Sequence, residues 1–449
     1  MRSFGKHYSI RDWLGLLYIA AVLASSACTV QAPRPPVAVS SAGGPSASGG
    51  INRPEHRDKP HLVLISFDGF RHDYLERFNL PNFKRMSDRG ARAAAMIPVF
   101  PSLTFPNHYS LVTGLHPERH GIVENTFYDP DRNQTYSIGD QSTVTDGSWY
   151  RGEPIWVTAE SQGMVAACFF WPGSEAAIKG VRPTIWNKYD GTVANNARVD
   201  TVLQWLRMPA EQRPHLITIY FSELDYASHR NPLDSSAIEA ATKSLDRSLG
   251  ALLDGIDALP IKGRIYLVVT SDHGMAETNR SHVIMLSSLI DLDSVKVSFD
   301  GPVTGLHVKA GSPEAQHIRD QINSRLQRGR AYLRRDVPEK HRFRADPRIG
   351  DVVIIMDESW TLVGIPPVIR LVRERWGTHG WDPALPSMHA VFMIAGPDIR
   401  PGTTIPAVDN VDVYPLMTEL LGLRPASGID GRSGHIRAQV TIATGVATR

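Results

Sequence analysis

Cysteine is nearly missing from this chain of 449 residues, which holds only Cys28 and Cys168. Two thiols cannot staple a small scaffold, so a disulfide-built fold is excluded and the folded part must rest on its own core and any metal it holds. Net charge is almost missing too, at a formal +2, which removes the electrostatic reason to expect a nucleic-acid or anionic-surface binder. No repeat of fixed period is present, which excludes a solenoid or a propeller. The apolar stretch Trp13 to Ala24 is too short to cross a bilayer as a stable helix. What remains is an ordinary globular composition, long enough for one large α/β domain or two smaller ones.

The N-terminus reads as a targeting segment. Arg2, Lys6 and Arg11 precede the apolar stretch, and Ser25-Ser-Ala-Cys28 follows it. That is a signal-peptide pattern over residues 1–27. Cys28 fits a bacterial lipoprotein box, with Ser25 standing where such a box prefers Leu; simple cleavage after Ala27 fits about as well. Both readings predict export, to the periplasm or to a membrane through a lipid on Cys28. Residues 28–58, rich in Pro, Ala, Ser and Gly, cannot bury enough apolar surface to order themselves and read as a linker. Cys168, within Ala166-Ala-Cys-Phe-Phe170, reads as a buried inert thiol.

From residue 59 to about 425, short β-rich runs alternate with amphipathic stretches, which predicts α/β layering. Strand-like runs begin at His61, Gly163, His215, Arg264, Asp351 and Ala390, and Ser235 to Leu259 reads as a helix with Ile238, Ala241, Leu245, Leu249 and Leu252 near one face. Residues 276–376 are poorly periodic and read as an insertion or subdomain covering the site. Residues 426–449 read as a C-terminal tail.

Chemistry-bearing residues gather where the apolar runs end. Asp68 closes the first run, Asp225 and His229 follow another, and Asp272-His273 closes a third. The exits of buried strands are the usual site of function in an open α/β sheet. His389 precedes its run instead, so an antiparallel strand would bring it to the same edge. Spacing i, i+4 sets Asp225 and His229 on one side of a helical turn. Gly274 permits the sharp turn that lets Asp272 and His273 share a site. Either pair alone also fits ordinary strand-end hydrogen bonding. Carboxylates mixed with imidazoles suit zinc better than calcium or magnesium. A nucleophile is offered by Thr104, two residues before Pro106, at the start of a helix running to about Thr113. An alkoxide there would meet the positive end of the helix; without the metal cluster the same Thr is a plain N-cap.

Four segments together carry a resemblance: Ser66-Phe-Asp-Gly-Phe-Arg71, Phe100-Pro-Ser-Leu-Thr-Phe-Pro-Asn-His108, Gly114 to Asn125, and Thr270-Ser-Asp-His-Gly-Met275. They closely resemble the nucleotide pyrophosphatase/phosphodiesterase family of the alkaline phosphatase superfamily, and the match resumes at Gly377-Thr-His-Gly-Trp381 and Met388-His-Ala390. The resemblance implies an alkaline phosphatase-like α/β fold, a large mixed and mostly parallel sheet with helices on both faces. It implies two Zn²⁺, one held by Asp225, His229 and His389, the other by Asp68, Asp272 and His273, with Thr104 on the second as nucleophile. It implies Asn125 as donor to a non-bridging phosphate oxygen, and Phe105 and Tyr189 as the aromatics that grip a nucleotide base. The expected reaction is hydrolysis of nucleotide phosphodiester and pyrophosphate bonds through a threonyl-nucleotidyl intermediate. Two dications balance three carboxylates and an alkoxide, so a singly charged diester can approach without strong repulsion. The neutral Asn125 favours a diester over a doubly charged monoester. Rival readings are a choline-type headgroup phosphodiesterase and a phosphomonoesterase on the same chemistry.

Overall fold

Successive residues of the first strand face opposite layers. Leu62 and Leu64 enter one buried cluster, Val63, Ile65 and Phe67 another. A strand apolar on both faces must lie between two layers of helix, which is what its uninterrupted apolar run requires. In the computed structural model, which describes residues 49–364, 374–432 and 434–441, that strand sits inside an eight-stranded sheet. Its strands are β1 (His61–Phe67), β2 (Ala91–Ala93), β3 (Ala166–Phe169), β4 (Ile185–Asn187), β5 (Leu216–Phe221), β6 (Ile265–Thr270), β7 (Phe392–Ala395) and β8 (Thr403–Ile405). They lie in the order β8-β2-β7-β6-β1-β5-β3-β4. All run the same way except β7, which is antiparallel to β2 and β6. The fold is α/β, with a mixed, mostly parallel sheet and helices on both faces.

One face carries Thr104–Thr113 and Val413–Leu421, the other Asn195–Leu206 and Ser236–Asp257. All five apolar positions picked from Ser235–Leu259 are buried. Register fixes the functional edge: Phe67 pairs with Phe221 and Ser66 with Thr270, so the chain leaves β1, β5 and β6 at one level.

The run Asp351 to Met356 forms a strand outside this sheet. Val352–Met356 belongs to an antiparallel four-stranded sheet with Val295–Phe299, Val303–Val308 and Gly329–Leu333. The helix Ala315–Arg325 gives Ile318 and Ile322 to that sheet's own buried cluster.

The domain is wider than 59–425. Asn52 is buried, its side chain bonded to Ala210 O, Arg213 O and Val165 N, and Ile436 and Val440 lie in the core. The expected signal segment and most of the expected linker lie outside the described residues. No helix among the described residues is long and apolar enough to cross a membrane.

Candidate metal centre and catalytic cleft

Three strand exits converge. Asp68 follows β1 directly and Asp272 stands two residues beyond β6, both fully buried. Asp225 sits one step further along, on the helix Glu223–Ser228 that follows β5, with His229 as that helix's C-cap. Gly69, at φ +70°, makes the approach between them possible. Its N–H donates to Asp272 Oδ1 at 3.2 Å, and a Cβ there would stand 3.3 Å from the Asp225 Cα. Gly274 serves differently from the expected turn: a Cβ on it would fall 2.2 Å from Ser387 O, so its role is close approach of two backbones.

The histidines of the cluster share one orientation. Nδ1 of His229, His273 and His379 lies 3.0, 2.8 and 2.9 Å from the carbonyl oxygens of Gly377, Gly274 and Ser102. A carbonyl only accepts, so each Nδ1 donates its proton and each Nε2 turns a lone pair inward. Those lone pairs meet one another and the carboxylates. His229 Nε2 is 3.2 Å from His379 Nε2 and 3.3 Å from Asp225 Oδ1, and His273 Nε2 is 2.9 Å from Asp272 Oδ2. Asp68 Oδ1, Asp225 Oδ1 and Asp272 Oδ2 are buried without a hydrogen bond among the described residues. A proton relieves one such contact; only cations relieve all of them together. Asp225, His229 and His379 offer atoms within 4.8 Å of one another, and so do Asp68, Asp225 and His273. The donor set therefore fits hard-to-borderline divalent cations.

The electrostatics carry the mark of this crowding. Burial, then the Asp272 and Asp225 carboxylates, push Asp68 well above the usual carboxylate range. Burial acts the same way on Asp272 but is outweighed by His273 and His108, which hold that carboxyl low. Burial, with His273 and His229 alongside, keeps His379 far below an ordinary imidazole and therefore neutral.

Thr104 opens the helix Thr104–Thr113, its Oγ1 3.4 Å from His273 Nε2. The next N–H, of Phe105, donates to Asn125 Oδ1 at 2.9 Å. That bond fixes the amide's orientation and leaves Nδ2 as the donating end. Thr104, Phe105, Asn125 and Tyr189 line one cleft of about 390 Å³ with Asp68, Asp225, His229 and His379. Tyr189 is 46% exposed, with its ring edge-on to Phe170 at 5.3 Å. Among the described residues, none of 276–376 lines the cleft. That region braces one wall from behind. The buried Arg348 guanidinium bonds Asp129 Oδ2, Gly121 O and Trp149 O, each at 2.8 Å, flanking the segment that carries Asn125.

One expected ligand is misplaced. β7 is antiparallel as required, and the backbone before residue 389 does reach the cluster's edge, where the Gly274 N–H bonds Met388 O. The His389 side chain turns away: its Nε2 lies 3.1 Å from Pro383 O and its ring 5.6 Å from that of His72. Met388 ends a short 3-10 turn, Pro386–Met388, and it and Ala390 are fully buried, while His389 between them is only part-buried and directs its ring out of the cluster. His379 fills the position instead, stacked on His273 with ring centroids 3.5 Å apart. The signal was present in Gly377-Thr-His-Gly380, where Gly380 takes φ +116°. His108 was also missed. Fully buried, it joins Ser66 Oγ at 2.7 Å, Thr104 O at 2.8 Å and Asp272 Oδ2 at 3.3 Å, tying the nucleophile's helix to the strand exits.

A mostly parallel sheet with a carboxylate–imidazole cluster and a helix-borne threonine at one edge defines an alkaline phosphatase-like protein. A sequence profile described as type I phosphodiesterase / nucleotide pyrophosphatase matches residues 62–382, and the chain belongs to that family. Human ectonucleotide pyrophosphatase/phosphodiesterase family member 1 is 36% identical over 391 residues, which is 84% of this chain and 42% of the relative. A venom phosphodiesterase of Crotalus durissus collilineatus is 34% identical over 400 residues, 87% of this chain and 48% of the relative. The chain thus spans less than half the length of these relatives. Among solved structures, murine family member 5, an inactive threonine-to-alanine variant in complex with AMP, superposes with a TM-score of 0.79 at 28% identity, covering 86% of this chain and all of that one.

Proposed function

We propose that the chain hydrolyses nucleotide phosphodiester and pyrophosphate bonds, converting a nucleoside triphosphate to the monophosphate and pyrophosphate with Thr104 as nucleophile. The observation that carries this reading is the Thr104 hydroxyl at a helix start, 3.4 Å from a histidine whose lone pair faces a cluster of buried, unpartnered carboxylate oxygens. Asp225, His229 and His379 would hold one zinc ion and Asp68, Asp272 and His273 the other. Bound there, the two ions supply acidification of the Thr104 hydroxyl and charge neutralisation on the leaving side. His389 has no part in this set.

The chain's own groups do the rest. Thr104 Oγ1 gives up its proton to solvent water and bonds to the α-phosphorus. The α–β bridging P–O bond breaks, its electron pair leaving with pyrophosphate. Water then takes the place of Oγ1 on phosphorus and returns a proton to it, releasing the monophosphate. Asn125 Nδ2 donates to a non-bridging oxygen, held in aim by the Phe105 N–H on its other end. Phe105 and Tyr189 grip the base. A relative that holds AMP and is inactive without one threonine supports both assignments.

The choline-type rival asks for an anionic or aromatic cage. Glu175, the cleft carboxylate outside the cluster, already accepts from Tyr189 N at 3.0 Å and Gln141 Nε2 at 2.7 Å, which argues against an anionic cage. The test is product analysis. ATP should give AMP and pyrophosphate first, and glycerophosphocholine should be cleaved far more slowly; ADP and orthophosphate as first products would identify a monoesterase. The basic and apolar start of the sequence further supports export, periplasmic or anchored at Cys28. Mass analysis of the mature N-terminus distinguishes a lipidated Cys28 from simple cleavage.

A further inference from the structure

The helix that carries the nucleophile starts without a side-chain cap: its N-cap residue is Leu103, which has no hydroxyl or carboxylate to offer. The approach to Thr104 is held through its carbonyls instead. Asn107 Nδ2 donates to Pro101 O and Leu103 O at 3.0 and 2.9 Å, His379 Nδ1 to Ser102 O at 2.9 Å, and His108 Nδ1 to Thr104 O at 2.8 Å. Of these side chains only His108 bonds the peptide of Thr104 itself. It is fully buried and stands behind the cleft, outside its lining, so it meets neither substrate nor leaving group.

The two ring nitrogens of His108 have separate tasks. Burial favours the neutral imidazole. A carbonyl only accepts, so Nδ1 carries the ring's proton and Nε2 accepts from the Ser66 hydroxyl at 2.7 Å. Trp171 and Tyr220 meet the ring edge-on at 5.1 and 5.2 Å, and the Trp171 indole N–H bonds His108 O at 3.2 Å, so the imidazole has no room to swing. The Nε2 bond ends on β1, where Ser66 is already held in register between Tyr220 and Thr270, and its loss moves nothing that reacts. The Nδ1 bond ends on the residue that bears Oγ1. Its loss frees the turn that aims the attacking oxygen, and a misplacement of about 1 Å there costs on the order of a hundredfold in rate.

We propose that His108 is a positioning residue for the nucleophile, and that its Nδ1 bond to Thr104 O, not its Nε2 bond to Ser66, sets the aim of Oγ1. The inference rests on the reaction proposed above and deepens it. The competing role is support of Asp272, whose Oδ2 lies 3.3 Å from the same Nδ1, and that role would be read in metal content.

Two substitutions divide the nitrogens: in His108→Asn the amide reaches the place of Nδ1 alone, and in His108→Gln that of Nε2 alone. The experiment measures kcat and KM for ATP, zinc content by mass spectrometry and the melting temperature of the zinc-free protein in both, beside Ser66→Ala. His108→Gln should lower kcat about a hundredfold while KM and zinc content stay near the wild-type values. His108→Asn and Ser66→Ala should keep kcat within a factor of a few, even where the zinc-free His108→Asn melts as low as His108→Gln. Equal losses of kcat in the two His108 variants, or losses that follow melting temperature, would reduce His108 to packing and overturn the proposal. Zinc lost together with activity in His108→Gln would overturn it in favour of Asp272 support. Should His108→Gln not fold, His108→Asn decides alone, since its amide cannot reach Ser66: near-wild-type kcat supports the proposal and a hundredfold loss overturns it. A wild type that does not release AMP and pyrophosphate from ATP would overturn the reaction itself, and the inference with it.

Discussion

The central sheet carries a stacked histidine pair at each end of its strands, and only one of them lies among carboxylates that could hold a metal. At the exit edge, His273 and His379 stack at 3.5 Å among Asp68, Asp225 and Asp272. At the entry edge, His61 and His215 stack at 4.4 Å with planes 6° apart. Their Nδ1 atoms lie 2.9 Å from Pro214 O and Pro60 O, and their buried Nε2 atoms have no hydrogen-bond partner among the described residues. The imidazole arrangement is thus nearly the same at both ends. The surroundings differ: the entry pair is flanked by Arg213 and Arg264, the exit pair by carboxylates. Inward lone pairs are necessary for a cation site and do not suffice; negative charge decides which pair can hold one.

The largest expected effect belongs to the exit edge. Thr104→Ala should cost roughly three decades or more in turnover while metal content and folding persist, because it deletes the attacking oxygen and no imidazole or carboxylate. Steady-state rates beside metal analysis check this, and retention of more than about a tenth of the rate would argue for water as nucleophile. Asn125→Ala should slow diester hydrolysis by roughly one to three decades, the usual loss of one transition-state donor; a folded variant with an unaltered rate would put Asn125 outside the reaction.

Arg348 tests the opposite kind of contribution. Arg348→Met leaves the buried Asp129 with only the longer ion-pair contact to Arg132, at 3.5 Å, and should cost about 3 kcal/mol of stability, read by urea denaturation. Replacing Asp129 by Leu as well should restore most of it. A variant with wild-type stability would mean that the four-stranded sheet does not brace the cleft wall.

The entry edge should announce itself through acid. Burial, then the His215 neighbour, lowers His61 to about 3; burial lowers His215 to about 4, with His56 and two arginines adding to it. Unfolded histidines take up protons near 6.5 while these cannot. Their contribution to stability is therefore full above about pH 6.5 and is lost as pH falls toward the folded values, by a few kcal/mol in all. Melting temperatures across this range should fall less steeply in His61→Phe than in the wild type. An identical slope would show that the pair does not carry the acid sensitivity.

Strand runs were legible because each is apolar on both faces, and Thr104–Thr113 was legible from its Thr and Pro, down to both ends of the helix. The strand exits placed Asp68, Asp272 and His273. Side-chain direction just outside a strand was not legible. His389 lies at the right edge, on the approach to a correctly oriented β7, and still points elsewhere, while His379 reaches the cluster from a loop with no apolar run to mark it. The domain limits were hidden for a similar reason. Asn52 and Val440 are held by tertiary contacts that composition does not register.

The central claim is that carboxylates and three particular histidines at the exit edge hold the metal. Zinc content by mass spectrometry of wild type, His379→Ala, His389→Ala and His61→Phe tests it most directly. About two zinc ions per chain are expected in the wild type, His389→Ala and His61→Phe, and about one in His379→Ala. Full zinc in His379→Ala with loss in His389→Ala would contradict it.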